Sequence, residues 1–342
     1  MGVTIKEIAQ LANVSRATVD KVINNRPGVK KETRERIITI INELNYEPNL
    51  IGKALVRSKS PYKLGIIFTS EYSAFIQCAL EGIRKAEKEF GSFGIEVVVK
   101  MLASFEPAEL ISLLNDFQAM EISGIGLMPI DDEQVKAKIN QLAAEDIPIV
   151  TFNSNLSGTN DLCFVGQNHY HGGRIAAGLM EKLLPLEGQI GIIISTQSLS
   201  CHQERLEGFC RRIEESNKNL TVVDIQENQD RKEDAFRHTL EFCHKYPEMN
   251  GIYIAGGGVP GVASALALEN RGHNTSLICH DLFPEIEDLL KKGIVDFVLD
   301  QNSSVQGYQV VKILFDYLVK HKKPKSDFYD VPVDIITADF LY

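Results

Sequence analysis

Apolar residues near the start of the chain recur at the three-to-four-residue spacing of helices with one buried face. Ile5, Ile8, Ala9 and Leu11 predict a short first helix. Thr4-Ile5-Lys6-Glu7 opens it as a capping box, in which the Thr4 hydroxyl and the Glu7 carboxylate each satisfy a free amide. Ala12-Asn13-Val14 reads as a tight turn, and Ser15 as the cap of a second helix, Arg16 to Ile23, with Val19, Val22 and Ile23 on its apolar side. A third helix, from about Lys31 to Asn45, is marked by Ile37, Ile40, Ile41 and Leu44. Two short helices joined by such a turn form a helix-turn-helix, whose second helix enters the major groove of DNA.

From Tyr62 the period changes. Short apolar runs predict strands at 64–68, 95–99, 124–128, 147–152, 189–194, 221–225, 251–255, 276–279 and 296–299. Helical stretches separate them at 75–90, 107–120, 132–145, 173–184, 203–215, 235–246, 262–271 and 304–320. Alternating strands and helices mean doubly wound parallel sheets covered on both faces. That many strands fit two sheets better than one. Two such lobes form a cleft, with ligands beside the C-terminal ends of the strands.

Composition adds a charge asymmetry. The net charge of the 342 residues is -10, yet residues 1–60 hold 11 Lys/Arg against 6 Asp/Glu. An acidic body repels polyanions, whereas a small basic head can still bind one. No apolar run is long enough for a membrane span, and Met1 to Glu7 lacks a signal-peptide pattern, so a cytoplasmic location is expected. The 6 cysteines show no metal or redox spacing and read as buried thiols.

The head carries a family resemblance. Val3 to Ala9, Ala12 to Ser15, Ala17-Thr18-Val19, Val22 to Asn25, Glu32 to Ile37 and Leu44 to Asn49 together resemble the headpiece of the lac repressor family. The resemblance implies a DNA-binding domain over 1–47, with Thr4 among its contacts and base reading by Arg16, Ala17 and Lys21. Arg16 or Lys21 is able to pair with guanine, while Ala17 offers only a methyl. Ser15 and Thr18 would contact phosphate, with Asn24, Asn25 and Arg34 as further backbone contacts. Asp20 departs from the family's small hydroxyl residue; it either accepts from cytosine or pairs with Arg16 or Lys21. Residues 48–61 resemble the family's hinge, where Leu55 would wedge into the minor groove beside phosphate contacts from Lys53 and Arg57. Gly52, in place of the usual alanine, weakens that helix by roughly 1 kcal/mol.

The rest, 62–342, resembles the periplasmic sugar-binding fold that the family carries as its sensor. The expected fold class is thus an N-terminal all-α helix-turn-helix headpiece plus an α/β two-lobed periplasmic-binding-protein-like domain with doubly wound parallel sheets. The N-lobe is expected at about 62–161 and 302–327, the C-lobe at about 162–301 and 328–342. Positions carried over to the effector site are Tyr72, Ser73, Phe75, Asn153, Ser154, Arg205, Asp281 and Gln301, with Gln301 at the last crossing between lobes. Polar groups around an aromatic floor suit hydroxyl-rich ligands: a sugar, a sugar acid or a sugar phosphate. The resemblance further implies a homodimer on near-palindromic operator DNA, with ligand rotating one lobe against the other.

A rival reading rests on Gly256 to Gly261, which contains GxGxxG between a strand and a helix, and on Asp281 after the next strand. That spacing fits a dinucleotide site and an NAD-dependent oxidoreductase. Pro260 removes an amide from the would-be phosphate loop, and no acid/base pair stands nearby, so no cofactor is expected. No nucleophile triad or paired-carboxylate arrangement suggests an enzyme. His169 and His171, though two apart, read as loop or cap residues rather than metal ligands.

Overall fold

The computed structural model describes residues 3–23, 26–44, 60–69 and 74–341. Asn24, Asn25, Lys53, Leu55, Tyr72 and Ser73 lie outside the described residues, as does nearly all of the expected hinge.

The head is three helices, α1 (Ile5–Leu11), α2 (Arg16–Ile23) and α3 (Lys31–Glu43). The capping box forms: the Glu7 amide donates to Thr4 Oγ1 at 3.3 Å, and the Thr4 amide to Glu7 Oε2 at 2.7 Å. These bonds hold the Glu7 carboxyl below its ordinary range. Helices this short are marginal alone. They are held by a shared core of Ile8, Ala9, Ala12, Val19, Val22 and Ile37.

The body is two six-stranded sheets. The first contains β1 (Tyr62–Phe68), β2 (Ile95–Met101), β3 (Gly124–Leu127), β4 (Ile149–Phe152), β5 (Cys163–Gly166) and β11 (Phe328–Asp330). The second contains β6 (Glu187–Ile194), β7 (Asn219–Glu227), β8 (Met249–Ile254), β9 (Ser276–His280), β10 (Phe297–Asp300) and β12 (Asp334–Ile336). Their orders, β2-β1-β3-β4-β5-β11 and β7-β6-β8-β9-β10-β12, match position for position. The ladders are parallel except β10–β12. Parallel strands covered on both faces need no polar alternation. In β1, Leu64, Ile66 and Phe68 enter one apolar cluster and Ile67 the cluster on the opposite face.

The covering helices are α4 (Ala74–Phe90), α5 (Pro107–Ala119), α6 (Glu133–Ala144), α7 (His169–Leu183), α8 (Ser200–Glu214), α9 (Lys232–Lys245), α10 (Val259–Leu268), α11 (Pro284–Lys291) and α12 (Ser303–Leu318). Two helix pairs pack backbone to backbone. A methyl on Gly82 of α4 would sit 1.8 Å from the Ser304 carbonyl of α12, and one on Gly307 would sit 2.0 Å from that of Ala79. The second lobe repeats the device, with Gly173 of α7 against the Arg205 carbonyl of α8 and Gly208 against that of Tyr170.

The lobe boundaries differ from those expected. The sequence places residues 162–166 and 328–330 in the C-lobe, yet β5 pairs with β4 through Cys163 and Val150, and β11 with β5 through Phe328 and Phe164. Three- and four-residue strands are too short to show a period, and their partners are distant in sequence. The chain therefore crosses between lobes at 167–168, 301–302 and 331–333, and Gln301 lies on the second crossing, not the last. Gln167 ties the three together: its buried amide donates to the Asp300 carbonyl at 3.0 Å and the Pro332 carbonyl at 2.8 Å.

Candidate functional site

The head and the interlobe cleft each assemble functional side chains. On α2, Arg16, Ala17 and Lys21 are exposed while Val19 and Val22 are buried, so burial of the apolar face turns the polar face outward. Ser15 holds the start of this helix, its hydroxyl 2.9 Å from Thr18 Oγ1 and accepting from the Thr18 amide at 3.1 Å. Asp20 and Arg34 have contacts within the head that were not expected. Asp20 pairs with Arg26 at 3.3 Å, the chain having turned back after α2. Arg34 donates to the Arg26 carbonyl at 2.8 Å and so braces the loop before α3. Thr4 is exposed, its hydroxyl engaged in the capping box.

Between the lobes lies a cavity of about 30 Å³. Of the expected effector positions, Phe75, Asn153, Arg205, Asp281 and Gln301 line it. Ser154 does not; it is fully buried beside Asn153. Sequence reasoning missed Asp230 and His202, and the apolar Ile76, Met128 and Leu199, all of which also line it. The run Glu227-Asn228-Gln229-Asp230 after β7 marks a polar loop at a C-terminal strand end, but nothing in it singles out the residue that turns inward.

Arg205 anchors the network and is only 2% exposed. Its Nη1 donates to the Ala255 carbonyl at 2.8 Å and its Nη2 to Gln301 Oε1. Gln301 passes the contact on, its Nε2 donating to both Asp281 oxygens at 2.8 and 3.0 Å. Across the cleft, Asn153 Nδ2 donates to the same Gln301 Oε1 at 3.3 Å. His202 Nδ1 donates to the Ala255 carbonyl at 3.1 Å, and His169 Nε2 donates to the Asn153 carbonyl. Asn153, Asp230 and Asp281 sit at strand or loop ends with φ of 61°, 58° and 66°. Asn and Asp tolerate that left-handed backbone better than most residues.

Burial governs the protonation states. Desolvation, with Asp300 nearby, pushes the Asp281 carboxyl up to about 7, and desolvation also raises Asp230. Desolvation and the Arg205 charge pull His202 down to about 3 and hold His169 and His280 well below their usual value. The three imidazoles are therefore neutral at pH 7. The cavity can accept hydrogen bonds on two carboxylates, donate from amides and a guanidinium, and cover an apolar face with Phe75.

The dinucleotide reading fails here. The Gly257 amide, which would have to greet a phosphate, donates to Asp230 Oδ1 at 2.8 Å. The glycines serve close packing. A methyl on Gly256 would meet the Ser195 amide at 2.8 Å, one on Gly257 would meet Asp230 Oδ1 at 2.9 Å, and one on Gly261 would meet the Lys232 carbonyl at 2.0 Å. Among the described residues no cluster of His, Cys, Asp or Glu is arranged to hold a metal, and no helix is long and apolar enough to cross a membrane. His169 and His171 both fall in the first turn of α7, which Asn168 caps by accepting from the His171 amide at 2.9 Å.

Two lobes of equal strand order, crossed three times and closed on a polar cavity, define a periplasmic-binding-protein-type module. The family model described as periplasmic binding protein domain matches residues 64–323, and that described as bacterial regulatory proteins, lacI family, matches 4–49. The chain belongs to the family described as periplasmic binding protein domain, and it carries a lacI-family helix-turn-helix head in front of that domain. It is 29% identical to the "Probable HTH-type transcriptional repressor ExuR" of Bacillus subtilis over 60% of this chain and 59% of that protein. It is 27% identical to the NTD biosynthesis operon regulator NtdR of the same organism, over 83% of this chain and 86% of that one. Among solved structures, GanP, a glucose-galactose binding protein from Geobacillus stearothermophilus, matches with a TM-score of 0.75 at 20% identity, covering 82% of this chain and 99% of that one.

Proposed function

We propose that the chain is a sequence-specific DNA-binding transcription regulator, acting as a repressor, whose DNA affinity is set by a polyhydroxylated small molecule held between the lobes. The observation that carries this reading is the pairing of an exposed Arg16/Ala17/Lys21 face on a capped second helix with an interlobe cavity lined by Arg205, Asp230, Asp281, Asn153 and Gln301 in one chain. The names of its relatives, repressors and operon regulators, agree with it, as does the sugar-binding name of GanP. The chain acts as a homodimer, so that two heads read a near-palindromic site, with residues 1–47 as head and 48–61 as linker. It binds and switches rather than catalyses, in the cytoplasm. A cavity of about 30 Å³ has room for little more than water, so the lobes part to admit the effector, and Gln167 at the crossings is the pivot.

The test is selection of duplexes from a random library on the full chain. A near-palindromic motif should be enriched. Arg16→Ala and Lys21→Ala should each cost about 1–3 kcal/mol on that motif, if the contact is a bidentate one, and little on a scrambled duplex. A library that returns no motif would sink the reading.

A further inference from the structure

We propose that the interlobe cavity selects an uncharged polyol and rejects its acid and phosphate forms. This rests on the reading of the cavity as the effector site and narrows it. The first ground is the charge lining the cavity. Its described lining residues include one cation, Arg205, and two carboxylates, Asp230 and Asp281. Both carboxylates line the cavity and are only partly buried. The histidine among the lining residues, His202, adds no positive charge, because it lies against the guanidinium and is buried. Asp300 stands behind Asp281, held by the Leu282 and Asn302 amides at 3.1 Å.

The second ground is commitment of donors. An anionic ligand is usually clamped by a guanidinium fork or by the free amides at a helix start. Here two of the five N–H groups of Arg205 are spent on the protein, one on the Ala255 carbonyl and one on Gln301. The loop leading into α10 gives its Gly257 amide to Asp230, so one of the protein's own carboxylates sits where a ligand's anion would. An incoming carboxylate or phosphate would lie beside Asp230 and Asp281, which outnumber the one guanidinium and repel an anion once ionised. A ligand hydroxyl, by contrast, can donate to Asp281, whose two oxygens are served by one Gln301 amide alone. It can also donate to Asp230.

The experiment is isothermal titration of the full chain with pairs that set a neutral sugar against an anionic derivative of it: glucose and glucuronate, galactose and galacturonate, ribose and ribose 5-phosphate. The neutral member of at least one pair should bind, and its acid or phosphate form should bind more than about tenfold more weakly, as expected for like charges brought together in a partly desolvated site. Titrating the same pair into Asp230→Asn and, separately, Asp281→Asn should narrow that gap. An acid or phosphate form that binds as tightly as its neutral partner, or more tightly, overturns the charge rule while leaving the cavity as the effector site. Failure of every member of every pair to bind overturns the cavity reading and the rule with it.

Discussion

The two lobes share one strand order but bring different chemistry to the cavity between them. From the first lobe come Thr69, Phe75, Ile76, Met128 and Asn153, an almost uncharged wall. From the second come His202, Arg205, Asp230 and Asp281, every acidic or basic side chain among the described lining residues. Duplicate architecture therefore does not mean duplicate roles. The second lobe holds the hydrogen-bonding pattern that a ligand must match, already assembled around Arg205. The first lobe supplies a cover, and Asn153 joins it to the other side through Gln301.

The largest test removes the centre of the charged wall. Arg205→Ala leaves two buried carboxylates without their cation and a void beneath Ala255. We expect a loss of about 3–5 kcal/mol by chemical denaturation, as for other broken buried charge networks, together with loss of effector binding. If stability and binding both survive, the second lobe is not organised around this residue.

Asp281→Asn comes next, through pH. The folded state holds Asp281 near 7, whereas an unfolded aspartate titrates near about 3.9. The folded state therefore binds the proton more tightly. That stabilisation is complete below about pH 4, fades as pH rises toward 7 and is absent above it, with a ceiling of about 4 kcal/mol at ~1.4 kcal/mol per unit. Opening the lobes rehydrates the group, so raising the pH should also favour the open form of the ligand-free chain. Thermal melts and small-angle scattering from pH 5 to pH 8 should show wild type losing stability and compactness while Asp281→Asn changes much less. Parallel profiles for the two proteins would remove Asp281 from this account.

Smaller effects belong to the first lobe. Asn153→Gly keeps the left-handed backbone without strain and deletes the contact to Gln301. It should weaken effector binding by about 1 kcal/mol, the usual net worth of one hydrogen bond, with faster release measured by stopped flow. Phe75→Leu should cost a little less and leave discrimination between neutral and acidic ligands unchanged. A changed charge preference in either variant would show that the first lobe, too, sets specificity.

How much of this was legible beforehand depended on range. In the head, the capping box and the apolar spacing are local signals, and α2 runs from Arg16 to Ile23 as read. The pairing of Asp20 with Arg26 was missed because the chain reverses between them. In the body, long helices and central strands announced themselves by period. The eight-residue α11, led by Pro284, and the short β5, β11 and β12 did not. In the cavity, Arg205, Asp281 and Gln301 were reached through family motifs. His202 and Asp230 had no such flag: one lies a turn ahead of Arg205 on α8, and the other faces inward only because of how its loop folds.

The three crossings have a consequence for synthesis. Neither lobe is a continuous stretch of chain. The first lacks α12 and β11 until residues 303–330 have left the ribosome, and the second lacks β12 until 334–336 follow. The head can form its own small core early, since domains generally fold as units as they emerge. It is thus available while both lobes are still incomplete, with the α4 surface that Gly82 keeps open for α12 uncovered until Ser303–Leu318 has emerged. A nascent or truncated chain would carry a formed head on a body unable to close, able to meet DNA but deaf to its ligand.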